Sequence, residues 1–227
     1  MGFLQLCIYY LNASFPAGWD LKISSMKSNS TLDEMYTNHL RSYIQRFVPV
    51  SDTDWKLLES QLEEKELKKN HFFIREGKRE KNIAFVLEGN LRQYYTAKGE
   101  EKTTYFYFEN HLMSSYMSCL TGQPSKLSII ALTDCRLLVF SYQALTGLYN
   151  QSQTWERFGR VLAEYLAMGL EDRLVGLLTL SPEERYDELL RSNKHKILER
   201  IPQHYIANYL GITPVSLSRI RNRLLKK

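Results

Sequence analysis

The last nine residues of this 227-residue chain hold Arg219, Arg221, Arg223, Lys226 and Lys227, interleaved with Ile220 and Leu224. An arginine fork offers two parallel N–H donors, which match the O6 and N7 acceptors of a guanine or two oxygens of one phosphate. Arg219 is the leading candidate for reading a base edge, with Pro214, Val215 and Ser218 beside it and Asn222 further along. Val215 suits a thymine methyl group. Thr213, Ser216, Arg221, Arg223, Lys226 and Lys227 suit phosphates, which position a protein without carrying sequence information. The surrounding charge agrees. From Arg191 onward there are nine Lys or Arg against a single acid, Glu199, so the net +5 of the chain comes wholly from its C-terminal end. Such an asymmetry calls for an acidic partner, and double-stranded DNA is the one expected.

These side chains need a scaffold, and the local pattern supplies one. Ile206, Ala207 and Leu210 line one face of a short helix. Gly211 breaks it, and Ile212 turns inward. Thr213 then caps a second helix that opens on Pro214 and buries Leu217, Ile220 and Leu224. A small residue at the crossing and a free backbone at the turn make this a helix-turn-helix, whose second helix enters the major groove. Upstream, "SPEE" places Ser181 as an N-cap and Glu184 three residues on, a capping box that opens a new unit.

The rest of the chain reads as a support for that unit. Helical spacing is expected over 32–48 and 51–67, with Ser51 to Asp54 as caps. From about Lys68 short aromatic and β-branched runs, punctuated by Gly77, Gly89 and Gly99, indicate antiparallel strands. Lys98-Gly99 is the clearest hairpin turn, and two further strands flank Thr133-Asp134. Strands of this length and spacing suggest a small barrel or roll. A long helix is expected beyond Asn150, with apolar residues at Phe158, Val161, Leu162, Tyr165, Leu166, Leu170, Leu174 and Leu177. That stripe is wider than one core-facing side requires, so a second copy of the helix is expected against it, giving a homodimer.

A β-roll, a long helix and a helix-turn-helix, in that order, resemble the Crp/Fnr family of bacterial transcription regulators. The resemblance rests on "FVLEGNLRQYY", "ENHLMSSYMSCLTGQPSKLSIIAL" and "IPQHYIANYLGITPVSLSRIR" and covers roughly 31–227. It implies an α+β chain: a sensory antiparallel β-roll over 26–150, a dimerisation helix over 151–180, and a helix-turn-helix domain over 181–227. It further implies a homodimer on a palindromic site, an RNA polymerase contact, and a small-molecule effector in the roll. Members that bind cyclic nucleotides carry a Gly-Glu pair and, about ten residues on, an Arg-Ser pair. Here those places hold Ser114-Ser115 and Ser125-Lys126. Lys126 is a point charge without the bidentate fork, and nothing replaces the glutamate, so the pocket is expected to take something other than cyclic AMP. The β-wing usual after the recognition helix has no counterpart in "LLKK".

Other classes fit less well. His39, His71, His111, His195 and His204 show no metal-ligand spacing, and no phosphate loop or nucleophile elbow occurs, so neither an enzyme nor a metal or cofactor site is expected. Cys7, Cys119 and Cys135 suit buried thiols in a reducing cytoplasm, and no apolar run is long enough for a membrane helix. The iron–sulfur branch of the family needs a cysteine cluster that residues 1–60 lack. Residues 1–25 read as an upstream extension, with Met26 as the natural start. The competing function is a ligand-binding or protein-interaction module with a vestigial DNA-binding domain.

Overall fold

The computed structural model describes residues 34–191 and 195–224. The expectations for residues 1–25, Met26, Cys7, Lys226 and Lys227 lie outside them.

Two helices come first, α1 (Glu34–Gln45) and α2 (Asp52–Glu59). Ser51 caps α2 as its sequence implies, accepting the Asp54 N–H at 3.1 Å. The second expected helix ends earlier than its spacing suggests. Glu63–Leu67, a run of helix formers, is a strand, β1, paired antiparallel with β8 (Cys135–Ser141). Four of its five side chains are exposed and Leu67 alone is buried, so ladder pairing rather than propensity decides its conformation.

Strands β2 (Phe72–Ile74), β3 (Asn82–Glu88), β4 (Leu91–Ala97), β5 (Glu100–Tyr107), β6 (Leu112–Met113) and β7 (Leu127–Ala131) complete two four-stranded sheets, ordered β1-β8-β3-β6 and β2-β7-β4-β5. All strand pairs are antiparallel. Lys98 and Gly99 both have positive φ (55° and 79°), the two-residue turn that matches strand twist. The strands flanking Thr133-Asp134 do not pair with each other. They enter opposite sheets, as β3 and β4 do across Gly89-Asn90, and this alternation rolls the chain up.

One apolar cluster lies between the sheets, including Val86, Leu91, Ile129 and Leu137. A second joins the outer face of β3 and β8 (Phe85, Leu138, Phe140) to α1, α2, α4 (Tyr142–Tyr149) and the start of α5 (Gln153–Thr179). Strand β3 is therefore buried on both sides, which is why "IAFVL" is a continuous apolar run without alternation. Trp155 anchors α5, fully buried, its indole N–H donating to the Asp54 carbonyl at 3.2 Å.

Beyond that anchor α5 leaves the roll. Leu166, Leu170, Leu174, Leu177 and Leu178 lie along it at 42%, 71%, 56%, 44% and 75% exposure, so its second apolar face is bare within one chain. Its inner side ends on Arg173. Helices α6 (Pro182–Arg191), α7 (His195–Arg200), α8 (Gln203–Tyr209) and α9 (Pro214–Leu224) follow around a third cluster. The "SPEE" capping box forms reciprocally: Glu184 N–H donates to Ser181 Oγ at 3.3 Å, and Ser181 N–H to the Glu184 carboxylate at 2.7 Å.

The glycines of the roll differ in what surrounds them. A Cβ on Gly89 (φ +91°) would lie 2.5 Å from the Asp134 carbonyl and 2.6 Å from Cys135 Sγ, whereas one on Gly77 (φ +81°) meets open space. Gly77→Ala is expected to cost about 1 kcal/mol from backbone strain alone, and Gly89→Ala at least about 2 kcal/mol more. Urea unfolding of the two variants checks this, and equal costs would show that the strand-to-strand crossing at Gly89 tolerates a side chain.

Candidate nucleic-acid interface

Helix α8 is capped at its C-terminus by Leu210, whose N–H bonds the Ile206 carbonyl at 3.0 Å. Gly211 then takes φ +72°, and Ile212 N–H returns to the Ala207 carbonyl at 3.0 Å. Thr213 caps α9 through Oγ1, which accepts the Ser216 N–H at 3.2 Å and meets Ser216 Oγ at 3.0 Å. Ala207, Leu217 and Ile220 are buried, and Ile212 and Leu224 pack on the same cluster. The inward positions of the sequence pattern are thus the inward positions of the fold.

The outward face of α9 carries the base-reading candidates. Pro214, Val215, Ser218, Arg219 and Asn222 are exposed, Val215 at 60%. The phosphate candidates divide. Thr213 is exposed, while Ser216 and Arg221 are half-buried. Arg223 is held by Glu183 at 2.8 Å. Arg219, Asn222 and Arg223 border one open groove with Ser181, Pro182 and Glu183 at the start of α6.

The effector candidates lie elsewhere, around α3 (Tyr116–Thr121) and the approach to β7. Ser115 and Ser125 are buried with their hydroxyls 2.8 Å apart, and Ser125 Oγ also donates to the Leu127 carbonyl at 2.7 Å. Ser114 donates to the Asn82 carbonyl at 2.9 Å, while Lys126 is exposed. Two further buried serines belong to the same region, Ser118 and Ser128, which accept the N–H groups of Glu80 and Glu76 at 3.0 Å each. This segment is closed by its own hydrogen bonds. Among the described residues no group of three or more metal-ligating side chains comes together.

What sequence reasoning missed is how the C-terminal helices attach. Phe106 of β5 and Phe108 just beyond it sit in the third cluster with Ile206, Tyr209 and Leu217. Arg92 of β4 is 2% exposed. Its Nε donates to Thr103 Oγ1 at 2.7 Å and its Nη1 to Glu101 at 2.5 Å, while its guanidinium lies 4.2 Å from the centroid of Tyr205. Glu109 takes Arg200 at 2.7 and 2.8 Å and Lys196 at 3.0 Å. Two of the nine C-terminal cations are therefore paired with one carboxylate of the roll. On the other side Arg173 stacks on Tyr209, 3.8 Å from the ring centroid, and donates to its carbonyl. Arg185 donates to the carbonyls of Leu180 and Leu210 at 2.6 and 2.9 Å. No spacing rule couples such distant residues, so a single sequence offers no signal for these ties.

Burial pushes the Glu109 carboxyl up, but the hydrogen bonds from Arg200 and Lys196 more than offset this and hold it at about 2. Beside it, burial lowers His111 to about 4, with Lys196 adding to the effect, so the imidazole is neutral at pH 7. A carboxylate depressed on folding stabilises above its unfolded value near 4.5 and loses that contribution as pH falls towards 2. Glu109→Gln is expected to be less stable at neutral pH and to lose stability less steeply across that window. Urea midpoints followed against pH check it; parallel curves for the two chains would contradict it.

Residues 64–152 match the cyclic nucleotide-binding domain family. No curated protein matches the chain by sequence. Among solved structures, FixK2 from Bradyrhizobium japonicum aligns at 18% identity and a TM-score of 0.61, covering 73% of this chain and 85% of its own. A protein described as a Crp/Fnr-family regulator from Eubacterium rectale aligns at 19% and 0.59, covering 78% and 85%. The catabolite activator protein of Thermus thermophilus aligns at 21% and 0.51, covering 79% and 86%. At these identities the likeness is one of fold.

Proposed function

We propose that this chain, which has the Crp/Fnr-like fold, is a dimeric, sequence-specific DNA-binding transcription regulator. The observation that carries the reading is the division of α9. Leu217 and Ile220 face the core, while Val215, Ser218 and Arg219 stand exposed on the opposite side of a capped, basic helix. Those three, with Pro214, contact base edges. Thr213, Ser216, Arg221 and Arg223 hold phosphates, Arg223 by exchanging Glu183 for the backbone. The Eubacterium rectale neighbour is described as a transcriptional regulator and the Thermus thermophilus one as a catabolite activator protein, which agrees with this reading.

The bare leucine face of α5 supports a homodimer through that helix, which gives two recognition helices and a palindromic site. Residues 26–150, 151–180 and 181–227 then act as sensory roll, dimer helix and DNA-binding unit, in a cytoplasmic protein that works beside RNA polymerase. The effector of the roll is not cyclic AMP. Ser115 and Ser125 satisfy each other, and a hydroxyl stands where a ribose would need a carboxylate.

Binding to a selected duplex is expected to weaken steeply with salt as condensed ions are released. Arg219→Ala should cost about 1–3 kcal/mol and relax the preference at one base pair. Fluorescence anisotropy on specific and random duplexes separates the outcomes: an equal loss on both would make Arg219 a phosphate contact. No binding to any genomic fragment would favour a ligand or protein-interaction module instead. Leu170→Glu with Leu174→Glu is expected to convert a dimer to a monomer in light scattering, and a monomeric unaltered chain would remove the dimer from the proposal.

A further inference from the structure

Strand β5 is the last in its sheet, so one of its edges has no strand beside it. On that edge a side chain stands in for the missing neighbour. Asn208 Oδ1 accepts the Thr103 N–H at 2.6 Å, and its Nδ2 donates to the Glu101 carbonyl at 2.8 Å. A carboxamide carries an acceptor and donors in one plane. It can therefore meet a carbonyl and an N–H two residues apart on a strand edge, as a neighbouring backbone would.

The next two residues are tied just as tightly, each to a different element. The Tyr209 carbonyl accepts Arg173 of α5, and the Leu210 carbonyl accepts Arg185 of α6. Gly211 turns the chain, Ile212 N–H closes back on Ala207, and α9 begins at Pro214. Little chain separates the strand edge from the recognition helix, and the N–H groups of Leu210, Gly211 and Ile212 are all bonded back to α8.

We propose that Asn208 is the positioning residue through which the β4–β5 ribbon sets the placement of α9; the proposal rests on the DNA-binding reading above. The distinction from simple cohesion is physical. Phe106 and Phe108 bring the C-terminal helices against β5, but apolar contact is non-directional and tolerates sliding along a strand. The paired hydrogen bonds of Asn208 are directional, and matching groups recur on that edge only every second residue, so sliding by less than a full repeat of about 7 Å breaks both. Asn208 thereby converts adhesion into a defined position. In a dimer that position fixes the separation of two recognition helices, and so the half-site spacing the protein accepts.

The test uses the full chain and Asn208→Ala, with Asn208→Asp as the closer control. Aspartate retains an acceptor for the Thr103 N–H but turns an oxygen towards the Glu101 carbonyl. Spin labels at Glu100→Cys and Ser218→Cys, with Cys7 and Cys119 replaced by serine and the sample diluted with unlabelled chain, report the ribbon-to-α9 distance without DNA. The distribution is expected to be narrow in the parent and broad in both variants, with exchange of the Thr103 amide faster by about tenfold. On duplexes whose half-site spacing changes one base pair at a time, the parent's preference for a single spacing should be lost. The unfolding midpoint and the affinity for an isolated half-site should change little. A distance distribution unchanged in Asn208→Ala overturns the proposal, and so does a spacing preference that survives. If the parent binds no duplex at any spacing, the DNA-binding reading fails, and the label distances alone decide whether Asn208 positions α9.

Discussion

The open edge and outer face of β5 are the constraint on which the rest of this structure depends. A strand at the end of a sheet exposes backbone groups that invite pairing, and proteins cover or blunt such edges. Here the chain covers its own edge with its C-terminal helices. Phe106 of β5 and Phe108 just beyond its end enter the helical cluster, and Asn208 completes the ladder from outside. The ribbon thus belongs to two cores at once. Its other face carries Leu91 and Tyr107 into the space between the sheets, so the ribbon links the packing of the roll to that of the helices.

Charge reinforces this junction without making it oily. Arg92 is buried between the two parts, which is tolerable because its fork bonds Thr103 and Glu101 and its faces lie on Tyr94 and Tyr205. Breaking a buried pair by removing one partner is far costlier than its net contribution, so this network ties orientation more than it adds stability. Helix α5 completes the frame from the opposite side. Its inner face runs from Trp155 in the roll to Arg173 on Tyr209, and its outer leucines remain for a second copy.

The serine segment before β7 follows a different logic. In the resembled family that place holds a ligand's charge. Here four buried hydroxyls, Ser115, Ser118, Ser125 and Ser128, are used to hold the loops on either side of it, including the backbone of Glu76 and Glu80. Hydroxyls already bonded to protein must be released before they can bond anything else, which sets a cost on any anion entering there.

Much of this was legible along the chain. Period and caps marked the helix-turn-helix down to Ala207, Gly211 and Thr213, and the Lys98-Gly99 turn declared its hairpin, because both are set by residues within a few positions of one another. The wide stripe of α5 could be read in its leucines. Local rules failed where long-range pairing decided. Glu63–Leu67 reads as helix yet is a strand, since the edge of β8 needed a partner. The strands around Thr133-Asp134 look like a hairpin yet part to opposite sheets. Nothing near Asn208, Glu109 or Arg92 in the sequence says that these residues join the roll to the helices. Their partners lie far along the chain, and hydrogen bonds depend on angles and distances that only the folded backbone supplies. The sequence by itself determined which helix can present a basic, outward face; tertiary structure alone decided where that face is held.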